Sequence, residues 1–238
     1  MNKMPREFVL RRIHSFAGFL FLIFLCEHLF TNSLASLIFG DQGKGFVDMV
    51  NGIHSLPYLP VLELLFIWRP LRVHVWWGID RMRLAKLNSF ATDGSAPSLE
   101  SFPRNQAFTW QRITSVLLIV AIGLHLYYMR FLQEPELVNN EYVAVLSDNV
   151  VVQADTVGKA FLMVLTDTFS SLFLCIAYSL FVILAAFHGC NGLWSFAITW
   201  GITLSERSRI VVRRISNALM LLLVFLGLVC IWGIYWVV

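Results

Sequence analysis

Ala185-Ala186-Phe187-His188-Gly189-Cys190-Asn191-Gly192-Leu193-Trp194-Ser195-Phe196 closes a long apolar run with a histidine, then meets two glycines and an asparagine. The run behind it, from about 159 to 188, is long enough to cross a hydrocarbon core of about 30 Å. The stretch therefore predicts a membrane helix that ends in a turn at a membrane surface. An imidazole at bilayer depth is costly and marks a functional position. His28, His74 and His125 also lie inside apolar runs, so four histidines on four runs require a common explanation.

Composition supports the same class. The chain is 58% hydrophobic and 14% charged, with a mean hydropathy of +0.70, which excludes a soluble globular balance. The fold class expected is all-α: one integral membrane bundle of five helices, a single membrane-anchor domain over residues 1–238. The spans are expected at about 13–39, 57–79, 110–131, 159–188 and 215–238. The basic lead with Lys3, Arg6, Arg11 and Arg12 resembles the start of a signal peptide, but the apolar run after it is too long for one. Asp93-Gly94 and Ala96-Pro97 read as turn or linker chemistry. Cys26, Cys175, Cys190 and Cys230 are scattered, with no C-x-x-C or C-x-x-C-H, which argues against a zinc site, a disulfide framework or covalently attached haem. The net charge of +3 is modest, and no nucleic-acid partner is expected.

Charge placement orients the bundle. Most Lys and Arg residues fall in the N-terminal lead and in the second and fourth loops, while the loop from Gln133 to Gly158 is acidic. Cytoplasmic loops carry the basic excess. The N-terminus is therefore expected inside and the C-terminus outside. Trp76, Trp77, Trp110, Trp194 and Trp200 then gather near the inner interface as an aromatic belt.

A rise of 1.5 Å per residue converts position into depth. His28 and His125 each lie about 22 Å from the inner end of rising spans, whereas His74 is about 8 Å from the inner face and His188 is similarly low. The four imidazoles sort into an outer pair, His28 with His125, and an inner pair, His74 with His188, on the order of 15 Å apart. Two pairs at two depths suit two stacked six-coordinate haems, each taking one neutral imidazole from either side. His14 lies four helical turns before His28 and is read either as a haem-propionate contact or as an interfacial residue. His54 is expected as a solvated loop histidine.

Other polar residues at depth extend the site. Arg69 and Arg72, within two turns of His74, need a counter-charge; haem propionates would supply one, and snorkelling to the interface is the alternative. Glu27, Glu63 and Asp167 are candidates for proton delivery to a quinone near the outer haem, or for helix-to-helix hydrogen bonds.

At these residues a resemblance appears. Arg11-Arg12-Ile13-His14-Ser15, Glu27-His28-Leu29, Asn51 to Pro57, and above all Phe187 to Thr203 resemble the two-haem cytochrome b subunit of succinate:menaquinone oxidoreductases and fumarate reductases. The likeness covers nearly the whole chain. It implies a five-helix anchor in the bacterial inner membrane, two non-covalent b haems, and flavoprotein and iron–sulfur subunits docked on the cytoplasmic side. It also implies a menaquinone or other quinone site toward the outer haem. The family's axial ligands match His28 with His125 and His74 with His188. Two departures stand out: Arg69 and Arg72 make span two unusually charged, and Ala186 stands where some fumarate reductases carry a carboxylate, which argues against a proton path through span four.

The expected function is a redox anchor that performs no succinate chemistry itself. The chain lacks a G-x-G-x-x-G turn and a cysteine cluster motif, so flavin and iron–sulfur binding belong to partners. The alternatives are a haem-free anchor and a secondary transporter using a histidine and carboxylate proton relay.

Overall fold

The computed structural model describes residues 5–84 and 101–238. The turn signals at Asp93-Gly94 and Ala96-Pro97 lie outside the described residues. Eight α-helices are present among the described residues: α1 (Arg6–Ser33), α2 (Lys44–His54), α3 (Leu59–Glu63), α4 (Arg69–Leu84), α5 (Pro103–Leu126), α6 (Val157–Thr168), α7 (Leu172–Thr199) and α8 (Glu206–Tyr235). A π-helical turn, Leu64–Trp68, joins α3 to α4 without a break, and a second, Tyr127–Leu132, prolongs α5.

The chain is a membrane protein with a predominantly helical bundle. Arg6–Ser33, Pro103–Leu132, Leu172–Thr199 and Glu206–Tyr235 are each long and apolar enough to cross a bilayer. Lys44–His54 and Leu59–Leu84, bent by 94° to each other, are long and apolar enough only together, as a broken span or a re-entrant loop, so the described residues hold four such helices, or five if the bent pair is one span. Large apolar side chains stand open along these helices, including Phe173 at 76%, Leu221 at 66% and Leu124 at 64% exposure. Such a surface suits lipid as the solvent rather than water.

Local chemistry sets where the helices stop. At the end of α1 the Asn32 amide donates to the His28 carbonyl and the Ser33 hydroxyl to the Phe30 carbonyl, both at 2.7 Å. Side chains thus satisfy last-turn carbonyls that no further turn will reach. The fourth apolar run differs from the expected single span. It divides at Phe169–Ser171, where the Ser170 hydroxyl donates to the Asp167 carbonyl at 2.7 Å and the Cys175 thiol to the Phe169 carbonyl at 3.3 Å. Apolar periodicity alone does not register such a break, because both flanking helices are greasy.

The region read as an acidic loop contains a small sheet. Strands β1 (Glu136–Val138), β2 (Glu141–Val145) and β3 (Val151–Ala154) are antiparallel in the order β1-β2-β3. Val138 pairs with Glu141 across a two-residue turn, Asn139-Asn140, with φ of 51° and 67°. Positive φ at both central residues is the geometry that matches strand twist, and asparagine tolerates it.

The chain forms two compact units, residues 1–24, 64–119 and 184–220 in one, and 25–63, 120–183 and 221–238 in the other. Within the second, α2 packs on α6: the Gly158 N–H donates to Asn51 Oδ1 at 2.9 Å, and a Cβ at Gly158 would stand 2.5 Å from the Val47 carbonyl oxygen. In the same unit Gly227 of α8 approaches so closely that a Cβ there would meet Val182 Cγ1 at 2.6 Å. Small residues let membrane helices pack by contact where no hydrophobic drive separates them from lipid.

Candidate functional site

Each unit holds one imidazole pair. In the unit containing 120–183, His28 of α1 and His125 of α5 have ring centroids 6.0 Å apart with planes at 77°. In the other, His74 of α4 and His188 of α7 have centroids 6.1 Å apart with planes at 89°. The structure therefore brings together the pairs that depth along the spans predicted.

The spacing suits a shared metal. A metal–imidazole bond of about 2.0 Å plus the ring's half-width puts each centroid about 3 Å from the ion, and two opposed rings roughly 6 Å apart. Among the described residues no group of three or more His, Cys, Asp or Glu could hold a metal ion. Two nitrogens alone do not complete a protein-built site, which takes three or four ligands. They do complete a haem iron, whose equatorial positions the macrocycle fills. The residues present fit a haem in each unit.

Hydrogen bonds orient these rings. His74 Nδ1 lies 3.2 Å from the His14 carbonyl oxygen, which can only accept, so Nδ1 carries the proton and Nε2 keeps its lone pair. His188 Nδ1 lies 3.3 Å from the Thr114 hydroxyl. That hydroxyl donates to the Trp110 and Gln111 carbonyls at 2.8 and 3.2 Å, so it accepts from His188. His125 Nδ1 meets the Tyr178 hydroxyl at 3.3 Å. In each case the engaged nitrogen is Nδ1, leaving Nε2 to ligate. Partners of this kind set ring orientation and ligand basicity in metal sites.

Packing completes the seat of the His74 ring. The His14 ring stacks on His74, with centroids 4.2 Å apart and planes 6° from parallel. On α1, a Cβ at Gly18 would stand 2.7 Å from His74 Cε1; only glycine gives the ring its room. His14 thus serves the pair through its backbone and its ring face. His14 Nε2 is buried with no hydrogen-bond partner.

The glycine-rich stretch after His188 does not turn. Helix α7 continues to Thr199 because α5 clasps it. The Gln111 amide donates to the His188 carbonyl at 2.9 Å, and the Asn191 amide donates to Gln111 Oε1 at 2.8 Å. Arg104 donates to Asn191 Oδ1 at 3.2 Å and lies 3.5 Å over the Trp194 ring. Gly189 and Gly192 were turn signals by type alone; the tertiary contact keeps them helical.

One comparison bears on identity. The chain is 29% identical over 231 residues to the succinate dehydrogenase cytochrome b558 subunit of Bacillus subtilis (strain 168), covering 96% of this chain and 97% of that one. No protein-family profile matches the chain. Over nearly its whole length the chain is similar to that cytochrome b subunit.

The remaining carboxylate candidates have local partners. Glu27 Oε1 accepts from the Thr31 hydroxyl at 2.8 Å. Glu63 lies 3.8 Å from Arg130, which also pairs with Glu134. Asp167 accepts from the Ser147 N–H at 2.9 Å and hydroxyl at 3.0 Å, tying the β2–β3 loop to α6. His54 lies with its ring 5.8 Å from Phe161. Arg69 and Arg72 are exposed. Thr114, Tyr178, Gly18 and Gln111 escaped the sequence reading: each is a single ordinary residue in a helix, and its partner is distant in sequence.

Proposed function

We propose that the chain is the cytochrome b membrane subunit of a succinate dehydrogenase/quinone reductase complex. It anchors flavoprotein and iron–sulfur subunits at the cytoplasmic face of the bacterial inner membrane and, with two b haems, carries electrons to or from menaquinone. The observation that carries this reading is the pair of imidazole couples at ligand spacing, 6.0 and 6.1 Å. The likeness to the Bacillus subtilis subunit supports it.

Bound haem would supply reversible one-electron chemistry at its iron. His28 and His125 would hold one haem, and His74 and His188 the other. Thr114 and the His14 carbonyl keep a proton on Nδ1 of His188 and His74, so each presents a neutral donor that adds no charge to a dry interior. Gly18 and the stacked His14 hold the His74 ring in place. Glu27, Glu63 and Asp167 are the carboxylates proposed to exchange protons with quinone.

A reduced-minus-oxidised spectrum of the purified full chain tests the reading. Two six-coordinate low-spin centres are expected. His28→Ala or His125→Ala should remove one, and His74→Ala or His188→Ala the other. A chain with no visible absorbance sinks the proposal and returns the haem-free anchor or the transporter, and signals that survive all four substitutions overturn the assignment of these histidines as ligands.

A further inference from the structure

Arg104, Ala107, Gln111 and Thr114 of α5 recur at spacings of three and four and so share one helix face. That face meets His188, Asn191 and Trp194 of α7. The seam lies wholly within the unit built from 1–24, 64–119 and 184–220, and its hydrogen bonds reach His188 from two sides. The Gln111 side-chain amide donates to the His188 carbonyl at 2.9 Å, while the Thr114 hydroxyl stands 3.3 Å from Nδ1 of the ring. Behind Gln111, the Asn191 amide donates to Gln111 Oε1 at 2.8 Å and to the Ala107 carbonyl at 3.3 Å. Asn191 Oδ1 in turn accepts from Arg104 at 3.2 Å. Arg104 lies in the first turn of α5, where the helix dipole disfavours a cation, and its guanidinium carbon stacks 3.5 Å over the Trp194 ring.

We infer that Gln111, backed by Asn191 and Arg104, is a positioning residue that fixes the plane of the His188 ring against that of His74. The inference rests on the haem reading of this pair. Interhelical hydrogen bonds in a membrane add little to stability, so a chain of them ending on one histidine is better explained by orientation. The ring nitrogen of a helical histidine lies about 6 Å from the helix axis, so a turn of α7 by about 10° displaces it by about 1 Å. A functional site tolerates only about 0.5 Å. Apolar contacts are non-directional and hold such an angle loosely. Bonds to the His188 carbonyl and to its ring nitrogen hold it at two points. The His74 and His188 planes stand at 89°, and that is the angle the seam keeps.

Electron paramagnetic resonance of the oxidised full chain, purified with the subunits that accompany it, tests the inference. The low-field g value of a ferric bis-imidazole haem rises as the two ring planes approach perpendicular, so the spectrum reads the angle. Gln111→Met removes both hydrogen bonds at nearly constant volume. It should lower the g value of the centre that His188→Ala abolishes, weaken retention of that haem on the order of tenfold, and leave the centre that depends on His28 and His125 unchanged. Arg104→Leu should move the same signal by less, and Arg104→Lys should keep it in place. Asn51→Ala, which loosens α2 from α6 away from the seam, should lower stability with both g values unmoved; a seam that only stabilised the fold would behave the same way. Should Gln111→Met fail to accumulate, Asn191→Leu removes the support behind Gln111 and must shift the same signal. Unchanged g values in folded Gln111→Met or Asn191→Leu, with His188→Ala still removing the centre, overturn the inference. A chain without low-spin signals overturns the haem reading itself, and this inference with it.

Discussion

The Thr114 hydroxyl stands 3.3 Å from His188 Nδ1 while its own proton is directed at the carbonyls of Trp110 and Gln111. An ordinary helix back-bond thus turns a threonine into an acceptor aimed at an imidazole. Thr114→Val should leave the His188 N–H without its acceptor, at a cost of about 1–3 kcal/mol. Loss of such a partner weakens a metal site about 10- to 100-fold. Haem content and the midpoint potential of the centre proposed for His74 and His188 should change, with the one proposed for His28 and His125 unmoved. Thr114→Ser should restore both.

Gly18→Ala tests the seat of His74. The added methyl would stand 2.7 Å from Cε1, and overpacking of this kind costs about 1–3 kcal/mol. The expected result is loss or distortion of one low-spin signal while the signal that depends on His28 and His125 persists. Two intact signals would show that the ring has room that the backbone denies it here.

Tyr178→Phe probes the other pair. The phenol is the partner of His125 Nδ1 at 3.3 Å, and the benzyl ring keeps its packing against Phe169. A redox titration should show a shifted midpoint for the centre that is lost in His28→Ala, with the spectrum of the second unchanged. A shift in both centres, or in neither, contradicts the assignment.

Asn51→Ala addresses stability away from the imidazoles. Gly158 is buried, and its N–H has the Asn51 side chain as acceptor. Removing that acceptor should cost about 1–3 kcal/mol. Thermal unfolding should come several degrees earlier, while the reduced-minus-oxidised spectrum at low temperature stays the same.

The helical membrane class and the pairing of the four ligand candidates were legible in the sequence. Apolar length measures whether a helix can cross lipid, and a fixed rise per residue turns position into depth, so His28 could be matched with His125 and His74 with His188 before any coordinates. The β1–β2 hairpin left a readable mark too, since Asn139-Asn140 suits a tight turn, but the surrounding acidic residues hid the alternation of the strands. The division between α6 and α7 left none, because Ser170 and Ser171 are compatible with a membrane helix.

What the sequence by itself determined was therefore the solvent, the helical class and which histidines share a level, all quantities that depend on residue type and on distance along the chain. Which nitrogen of His74, His125 and His188 stays bare, that Gly18 must lack a side chain, and that α7 runs straight through Gly189 and Gly192 were decided only by the tertiary structure. Those depend on Thr114, His14, Gln111 and Asn191 arriving from distant turns, and a hydrogen bond or a steric contact has no signature until both partners are in place.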